Sequence, residues 1–567
     1  MSALILMVIV FAGYILMYRI YGKYISKRIF NLNKNHTPPS IELQDGVDYQ
    51  PTRKEIIFGH HFASIAGTGP IVGPAIAVIW GWIPAILWIF FGSIFIGAVH
   101  DFGVLILSMR NQGKSIADIA GKYINKRIRI LFFIIVFLEL WILIAIFGLV
   151  IAIIFKMFPG AVFPVWMQIP IAIILGFLIN RKGKDMWTWS IFAVIVMYIT
   201  IVTGYFIPFN MPVIAGIPST GIWTIILLIY AFVASVLPVK TLLQPRDFIN
   251  TYQLVLAMLL LIGGIIFSTI AGNLQMVAPA FHPNVANAPP LWPFLFIVIA
   301  CGAVSGFHSL VASGTSSKQV MNEKDSLFVG YGGMLTEGAL ATLVLIAVAA
   351  GIGMGLKGEN GEIVTGFQAW SEHYSSWTAA QGLGSKLSAF VQGSANMIDS
   401  IGIPSGISIV IMGVFVASFA GTTLDTGTRV QRYVLTELFE GSKINILKNR
   451  YFTTFLAVIS ALALAFATGA DGNGALKLWP LFGAVNQILA AISLLVITIY
   501  LKTKGGWKWM ISGLPAVFMA INIFWGTIIN QNIFDSQQNI LLMIVNAIVL
   551  LMAVWILIES MVTFLKK

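Results

Sequence analysis

Phe58-Gly-His-His-Phe-Ala-Ser-Ile-Ala-Gly-Thr-Gly-Pro-Ile-Val-Gly-Pro74 interrupts a long apolar stretch with histidine, glycine and proline. A plain membrane anchor would hold leucine at such positions. A helix broken inside lipid exposes backbone N–H and C=O groups that lipid cannot satisfy, so the break has to line a cavity enclosed by protein. A second stretch has the same character, running from Ala300 through Cys301, Ser305, Gly306, His308, Ser313 and Gly314 to Thr315. His61, five residues, then Gly67 and Thr68 is echoed by His308, five residues, then Gly314 and Thr315. The two spans are predicted to run in opposite directions. Paired broken helices in two halves point to an inverted-repeat transporter.

The whole chain agrees with a membrane setting. Of its 567 residues, 58% are hydrophobic and only 10% charged, and the mean hydropathy of +0.90 leaves no polar stretch long enough for a separate catalytic domain. Apolar runs long enough to cross the bilayer number about fifteen. They fall near 2–29, 58–80, 82–109, 127–156, 164–180, 187–208, 221–244, 254–272, 291–316, 325–355, 404–437, 449–468, 475–502, 507–530 and 538–565. The fold class expected is therefore an all-α polytopic membrane protein. It divides into an extra N-terminal helix and loop at 1–57, a transport core at 58–502 and two peripheral helices at 503–567.

Charge sets the orientation. The net charge of +12 comes from basic residues in short loops between apolar runs, a pattern that orients membrane proteins and does not signal nucleic acid. Met1 to Tyr18 has neither a preceding positive region nor a following small-residue cleavage site, so it reads as a retained first helix. Lys23, Lys27, Lys34 and Arg53 follow it, and later inner loops hold Arg110, Lys114, Lys184, Arg246, Lys318, Lys443 and Lys504. Alternate connections lack Lys and Arg at 210–220 and 275–290, and the long segment 356–403 carries Glu359, Glu362 and Glu372. This predicts an N-terminus outside and a C-terminus, ending in Lys566-Lys567, in the cytoplasm.

Ionisable residues within spans are costly and mark functional positions. His60, His61, His100, Asp101, Glu139, His308, Glu337 and Asp425 qualify. Arg429 lies one turn beyond Asp425 and is placed for an i,i+4 ion pair, while Glu139 is expected to make a helix-packing hydrogen bond. The lone Cys301 allows no disulfide and no cysteine cluster. Metal candidates are His60, His61 and His308, without a His-Glu-x-x-His pattern, and adjacent His60 and His61 point about 100° apart on a helix. Ser108-Met-Arg-Asn-Gln-Gly-Lys-Ser115 lacks the first glycine and the preceding strand of a P-loop. No catalytic triad is recognisable, so no enzyme activity and no cofactor are expected.

The small polar residues around the breaks remain. Ser64, Gly67, Thr68, Gly69, Ser305, Gly306 and Ser309 are the candidates for holding substrate, with amides of a half-helix N-terminus suited to a carboxylate. Candidates for ion or proton coupling are His61, Asp101, His308 and Asp425, together with the hydroxyls of Ser418, Thr422 and Thr423, which would suit sodium.

The chain resembles the carbon-starvation protein A family of peptide transporters, which has relatives that carry pyruvate. The resemblance rests on Phe58 to Pro70, Ala98-Val-His-Asp-Phe102, Leu237-Pro-Val, Gln244-Pro-Arg-Asp247, Ile299-Ala-Cys-Gly-Ala-Val-Ser-Gly-Phe-His308, Gly330-Tyr-Gly-Gly-Met334, Asp425-Thr-Gly-Thr-Arg429 and Leu478-Trp-Pro-Leu-Phe-Gly483. It implies a LeuT-like core, with 58–80 and 291–316 as the broken helices 1 and 6 and two additional helices, 221–244 and 254–272, between the repeats; the alternative makes 221–244, which contains Leu237-Pro238, the sixth helix. It also implies uptake of small nutrients across the cell membrane during carbon starvation. Peptides are the substrates expected first and pyruvate second, coupled to protons or sodium; membrane lipid is the surrounding partner and nucleic acid is not one. A channel or an intramembrane metal-dependent enzyme is the alternative of another class.

Overall fold

The computed structural model describes residues 2–33, 35–182, 185–357, 362–440 and 443–566. Lys34, Lys184, Glu359 and Lys567, used above for orientation, lie outside them. The described chain is overwhelmingly helical.

In chain order the helices that matter are α1 (Ala3–Ile29), α2 (Lys54–Ile65), α3 (Gly69–Trp80), α4 (Trp82–Met109), α5 (Lys126–Met157), α6 (Pro159–Ile179), α7 (Trp187–Phe206), α8 (Ser219–Val236) and α9 (Leu243–Ile270). They continue with α10 (Leu291–Val298), α11 (Gly306–Gly314), α12 (Glu323–Met354), α13 (Leu383–Asp399), α14 (Ser405–Leu438), α15 (Arg450–Ala465), α16 (Trp479–Lys502), α17 (Gly506–Ser536) and α18 (Ile540–Lys566). Among the described residues 12 helices are long and apolar enough to cross a membrane, or 13 if the pair α2 and α3, bent by 45°, is one span. The number is below the fifteen apolar runs for two reasons. The run at 291–316 is divided into α10 and α11, of 8 and 9 residues, and α15 has 16 residues. The chain also parts differently at Leu237-Pro238, because proline disfavours a helical residue before it: α8 ends at Val236 and α9 begins at Leu243.

Packing sorts the helices into a centre and a rim. An extensive contact runs between α5 and α14. Gly427 sits at this contact, where a Cβ would come 2.7 Å from Leu143 Cδ2, so a larger residue there requires the Leu143 side chain to move. Helix α5 starts cleanly because the Asn125 side chain accepts from the Arg127 and Ile128 amides, each at 3.0 Å. Helix α9 packs on α2 and α14, α8 on α5 and α15, and α16 on α11 and α17. By contrast α6 and α7 form a hairpin. The rim helices α1 and α18 expose Ile5, Ile9, Leu551 and Leu565, as expected of surfaces that face acyl chains.

The chain between α1 and α2 is strapped across one end of the bundle. Gln50 and Thr52 amides donate to the Lys318 and Gln319 carbonyls at 3.0 Å each, and the Val239 amide donates to Val47 O at 3.1 Å. Asp48 accepts from Arg429 at 2.8 Å and from Arg432 at 2.9 Å. Burial alone would raise the Asp48 carboxyl, but Arg432, Arg429 and Lys318 overcome it and hold the group well below the usual carboxylate range. The expected Arg429–Asp425 pair does not form, because Arg429 turns to Asp48 and to the Ala234 carbonyl at 2.9 Å.

Candidate functional site

The first break follows from Gly67 and the Gly69-Pro70 start of α3. Helix α2 stops at Ile65, its capping amide on Ala66 donates to Phe62 O, and α3 resumes at Gly69. The freed Ser64 carbonyl accepts from Thr423 Oγ1 at 3.0 Å, and Ser64 Oγ meets Thr426 Oγ1 at 2.9 Å. A Cβ on Gly67 would collide with Thr423 Oγ1. Ser64, Gly67 and Thr423 are thus brought together at a buried contact with α14. Thr68 accepts through its carbonyl from the Val72 amide at 2.8 Å, in the first turn of α3.

The second break spans 299–305, where Gly302 takes a φ of +90° that favours glycine. Helix α11 then begins at Gly306 under a side-chain cap from α16: Asn486 Oδ1 accepts from the Phe307 amide at 2.8 Å and from Ser305 Oγ at 3.1 Å. Gly306 packs so closely on Asn486 and Leu489 that a Cβ would collide with both. Ser309 Oγ donates to Gly306 O at 2.6 Å.

The two breaks meet at Gly69 and Cys301, where a Cβ on the glycine would strike the thiol. A cavity of about 810 Å³ opens there, bounded by Gly69, Cys301, Asn486, Trp377, Trp479 and Phe482 among others, with no charged side chain in its wall among the described residues. Of the residues the sequence suggests for substrate, Gly69 lines this cavity. Ser64, Gly67, Thr68, Ser305, Gly306 and Ser309 are buried and do not belong to its wall. Residues 287–290, 377, 378, 529, 530, 533, 534 and 537 also line the cavity.

Beside the second break, four fully buried ionisable groups form a chain. His100 Nδ1 lies 2.7 Å from Asp101 Oδ1, Asp101 Oδ2 lies 2.9 Å from His308 Nδ1, and His308 Nε2 lies 3.4 Å from Glu337 Oε2. Glu337 Oε1 accepts from the Gly302 amide at 3.2 Å. The break thereby touches the chain directly.

Adjacent His60 and His61 diverge as helical geometry requires. His60 Nδ1 reaches Asp247 at 2.6 Å and His61 Nδ1 reaches Ser316 Oγ at 2.9 Å. No hydrogen bond joins either of them to His308 among the described residues. The hydroxyl cluster on α14 holds a guanidinium: Arg246 pairs with Asp425, contacts Tyr230, and donates to Thr422 Oγ1 at 2.8 Å. Ser418 Oγ instead accepts from Gln168 Nε2 at 2.6 Å. Glu139 has no hydrogen-bond partner on either carboxylate oxygen among the described residues, contrary to the packing bond expected.

Arg246, Asp247, Tyr230 and Asn486 escape a residue-by-residue reading. The signal for two of them is the motif Gln244-Pro-Arg-Asp247 at the start of α9, where a basic residue reads as a loop charge until the fold buries it.

The chain matches the family described as Carbon starvation protein CstA over residues 2–529. It is 33% identical over 588 residues to the peptide transporter CstA of Campylobacter jejuni, covering 95% of this chain and 81% of that one. It is 31% identical over 591 residues to the pyruvate/proton symporter BtsT of Escherichia coli K12, covering 92% and 81%. A crystal structure of the Eremococcus coleocola manganese transporter, in complex with an aromatic bis-isothiourea substituted compound, superposes with a TM-score of 0.51 at 11% identity. It covers 92% of this chain and 99% of that one, which shows a shared LeuT-like helical fold. The chain is a multi-pass membrane protein that transports small nutrients, and it belongs to the carbon starvation protein CstA family.

Proposed function

We propose that the chain takes up peptides by proton-coupled secondary transport and alternating access. The observation that carries this reading is the cavity where the two helix breaks meet. Its 810 Å³ falls in the range that accommodates ligands of drug size, ample for a dipeptide or tripeptide and far larger than a three-carbon acid needs. Its uncharged wall leaves a zwitterion to be met by backbone dipoles and by neutral polar side chains, Asn486, Asn530 and Gln537 among them. The relative named for pyruvate supports a second reading, in which a small acid occupies only the floor near Gly69 and Cys301.

Protons suit the coupling better than sodium. Thr422, the hydroxyl best placed with Asp425 to hold sodium, already receives the permanently charged Arg246. The chain Asp101–His308–Glu337, bonded through Glu337 to the amide of Gly302 in the break, offers a path by which a proton changes the shape of the break. His61 and Asp425 serve as structural partners in this reading.

In this reading α2 with α3, and α10 with α11, are the broken helices 1 and 6. With α15 they bring the count of spans to the fifteen of the sequence. The packing of α8 on α5 and of α9 on α2 and α14 supports α8 and α9 as helices 4 and 5. The hairpin α6–α7 is then the inserted pair, in place of the two helices 221–244 and 254–272. Residues 1–57 fasten the inner end, α17 and α18 flank the core, and the N-terminus lies outside with the C-terminus inside.

The test is uptake into proteoliposomes under an imposed pH gradient without sodium, with labelled dipeptide and labelled pyruvate run in parallel. Accumulation of dipeptide is expected, and His308→Gln should keep dipeptide exchange while losing pH-driven accumulation. Accumulation only with a sodium gradient would overturn the coupling; accumulation of pyruvate alone would overturn the substrate. Labelling of cysteines placed at the N-terminus and at Lys504 in a Cys301→Ser background tests the orientation.

A further inference from the structure

We propose that Cys301, His308 and Glu337 form a binding site for a thiophilic divalent cation of the zinc class, entered from the cavity. One ligand atom from each residue lies within 4.8 Å of the others. Two atoms of these residues have no hydrogen-bond partner among the described residues. His308 Nε2 and Glu337 Oε2 are buried, make no hydrogen bond, and face each other at 3.4 Å. That separation equals the edge of a tetrahedron around an ion bound to nitrogen and oxygen at about 2.0–2.1 Å.

The neighbours prepare these atoms. Asp101 on His308 Nδ1, itself held by His100, fixes the tautomer that leaves the Nε2 lone pair free. The Gly302 amide holds the other oxygen of Glu337 and so directs Oε2 toward the imidazole. Cys301 lines the cavity, which provides the entry path, and is the most exposed of the three. A thiolate with an imidazole selects zinc-like ions over magnesium or calcium. Three protein ligands leave one position open for water. Cys301 gives up its thiol proton to solvent when the ion binds.

The site ties the second break, through Cys301, to α11 through His308 and to α12 through Glu337. An ion there cross-links elements that alternating access has to move apart, so occupancy arrests uptake. This consequence rests on the transport reading above, whereas the binding itself does not.

The test uses full-length protein in nanodiscs, stripped with chelator and titrated with Zn²⁺ alone by calorimetry. One equivalent is expected to bind. Co²⁺ is expected to give a thiolate-to-metal charge-transfer band, and Cys301→Ser to abolish the band and weaken zinc binding at least about tenfold, while His60→Gln leaves both unchanged. Because Cys301 is the sole cysteine, protection of wild-type protein from maleimide by Zn²⁺ reports occupancy without any substitution. Equal zinc affinity in wild type and Cys301→Ser, or unprotected alkylation of folded protein, would overturn the site. Zinc that binds with the expected stoichiometry while uptake continues would overturn only the arrest, and failure of proton-driven uptake would leave the binding result intact.

Discussion

Arg246 on α9 forms a buried ion pair with Asp425 on α14, across 179 positions of sequence. The guanidinium also donates to Thr422 and Tyr230, so one side chain joins α8, α9 and α14. A buried pair of this kind contributes modestly to stability when intact, because desolvating both charges offsets their attraction. Losing one partner is different.

Arg246→Ala leaves the Asp425 carboxylate buried without its counter-ion, at a cost of about 3–5 kcal/mol. The double variant Arg246→Met with Asp425→Leu should recover most of that loss. Thermal unfolding in detergent of Arg246→Met, Asp425→Leu and the double variant checks this, and a double variant less stable than either single would exclude the ion-pair account.

Glu139 is the opposite case, a carboxyl in the middle of α5 with both oxygens unpartnered among the described residues. Replacing an unsatisfied buried polar group with an apolar one of similar shape removes a desolvation cost of about 1–3 kcal/mol. Glu139→Leu is expected to raise the unfolding temperature and leave dipeptide uptake intact. A loss of uptake in a more stable variant would assign Glu139 to the proton path.

These two residues show what the sequence could carry. The breaks at 66–68 and 299–305 were legible because glycine, proline and histidine in an apolar run have few other uses. Long helices such as α5 and α14 followed from length and hydropathy. The partners were not legible. Arg246 sits at the start of α9, where its charge reads as orienting a loop, and only the packing of α9 on α14 turns it toward Asp425. The i,i+4 rule favoured Arg429 for Asp425, but Asp48, far away in sequence, competes for Arg429 from the strap. Cys301 gave no metal signal because the rules for cysteine rely on local spacing, whereas its neighbours come from a helix after the break and from α12.

Lys386 on α13, outside the spanning helices, is buried over the Tyr374 ring at 4.6 Å. Burial lowers its amine from 10.5 to about 7. The unfolded chain therefore holds this proton between about pH 7 and 10.5 while the folded chain releases it, so stability rises with pH across that window. Below pH 7 the folded protein carries a buried charge at full cost. Lys386→Met should gain most there, up to about 5 kcal/mol from the size of the shift, less what the cation–π contact returns. The gain should shrink toward pH 10.5. Unfolding temperatures of both proteins from pH 6 to 10 check this, and a gain independent of pH would contradict it.

Asn486 joins structure and substrate. Its oxygen caps α11 through the Phe307 amide and Ser305, while the residue lines the cavity. With that oxygen engaged, its amide nitrogen is left as a donor for the carboxylate of a peptide. Asn486→Asp preserves an acceptor for the cap and replaces the donor with negative charge, so the fold should persist while KM for a dipeptide rises about tenfold or more, a change worth about 1.4 kcal/mol. Asn486→Leu loses the cap as well and should cost about 1 kcal/mol of stability. Uptake kinetics and thermal unfolding separate the two effects. An unchanged KM in a folded Asn486→Asp protein would place the carboxylate away from α16 and leave the backbone amides at Gly69 as its remaining contact in the cavity floor.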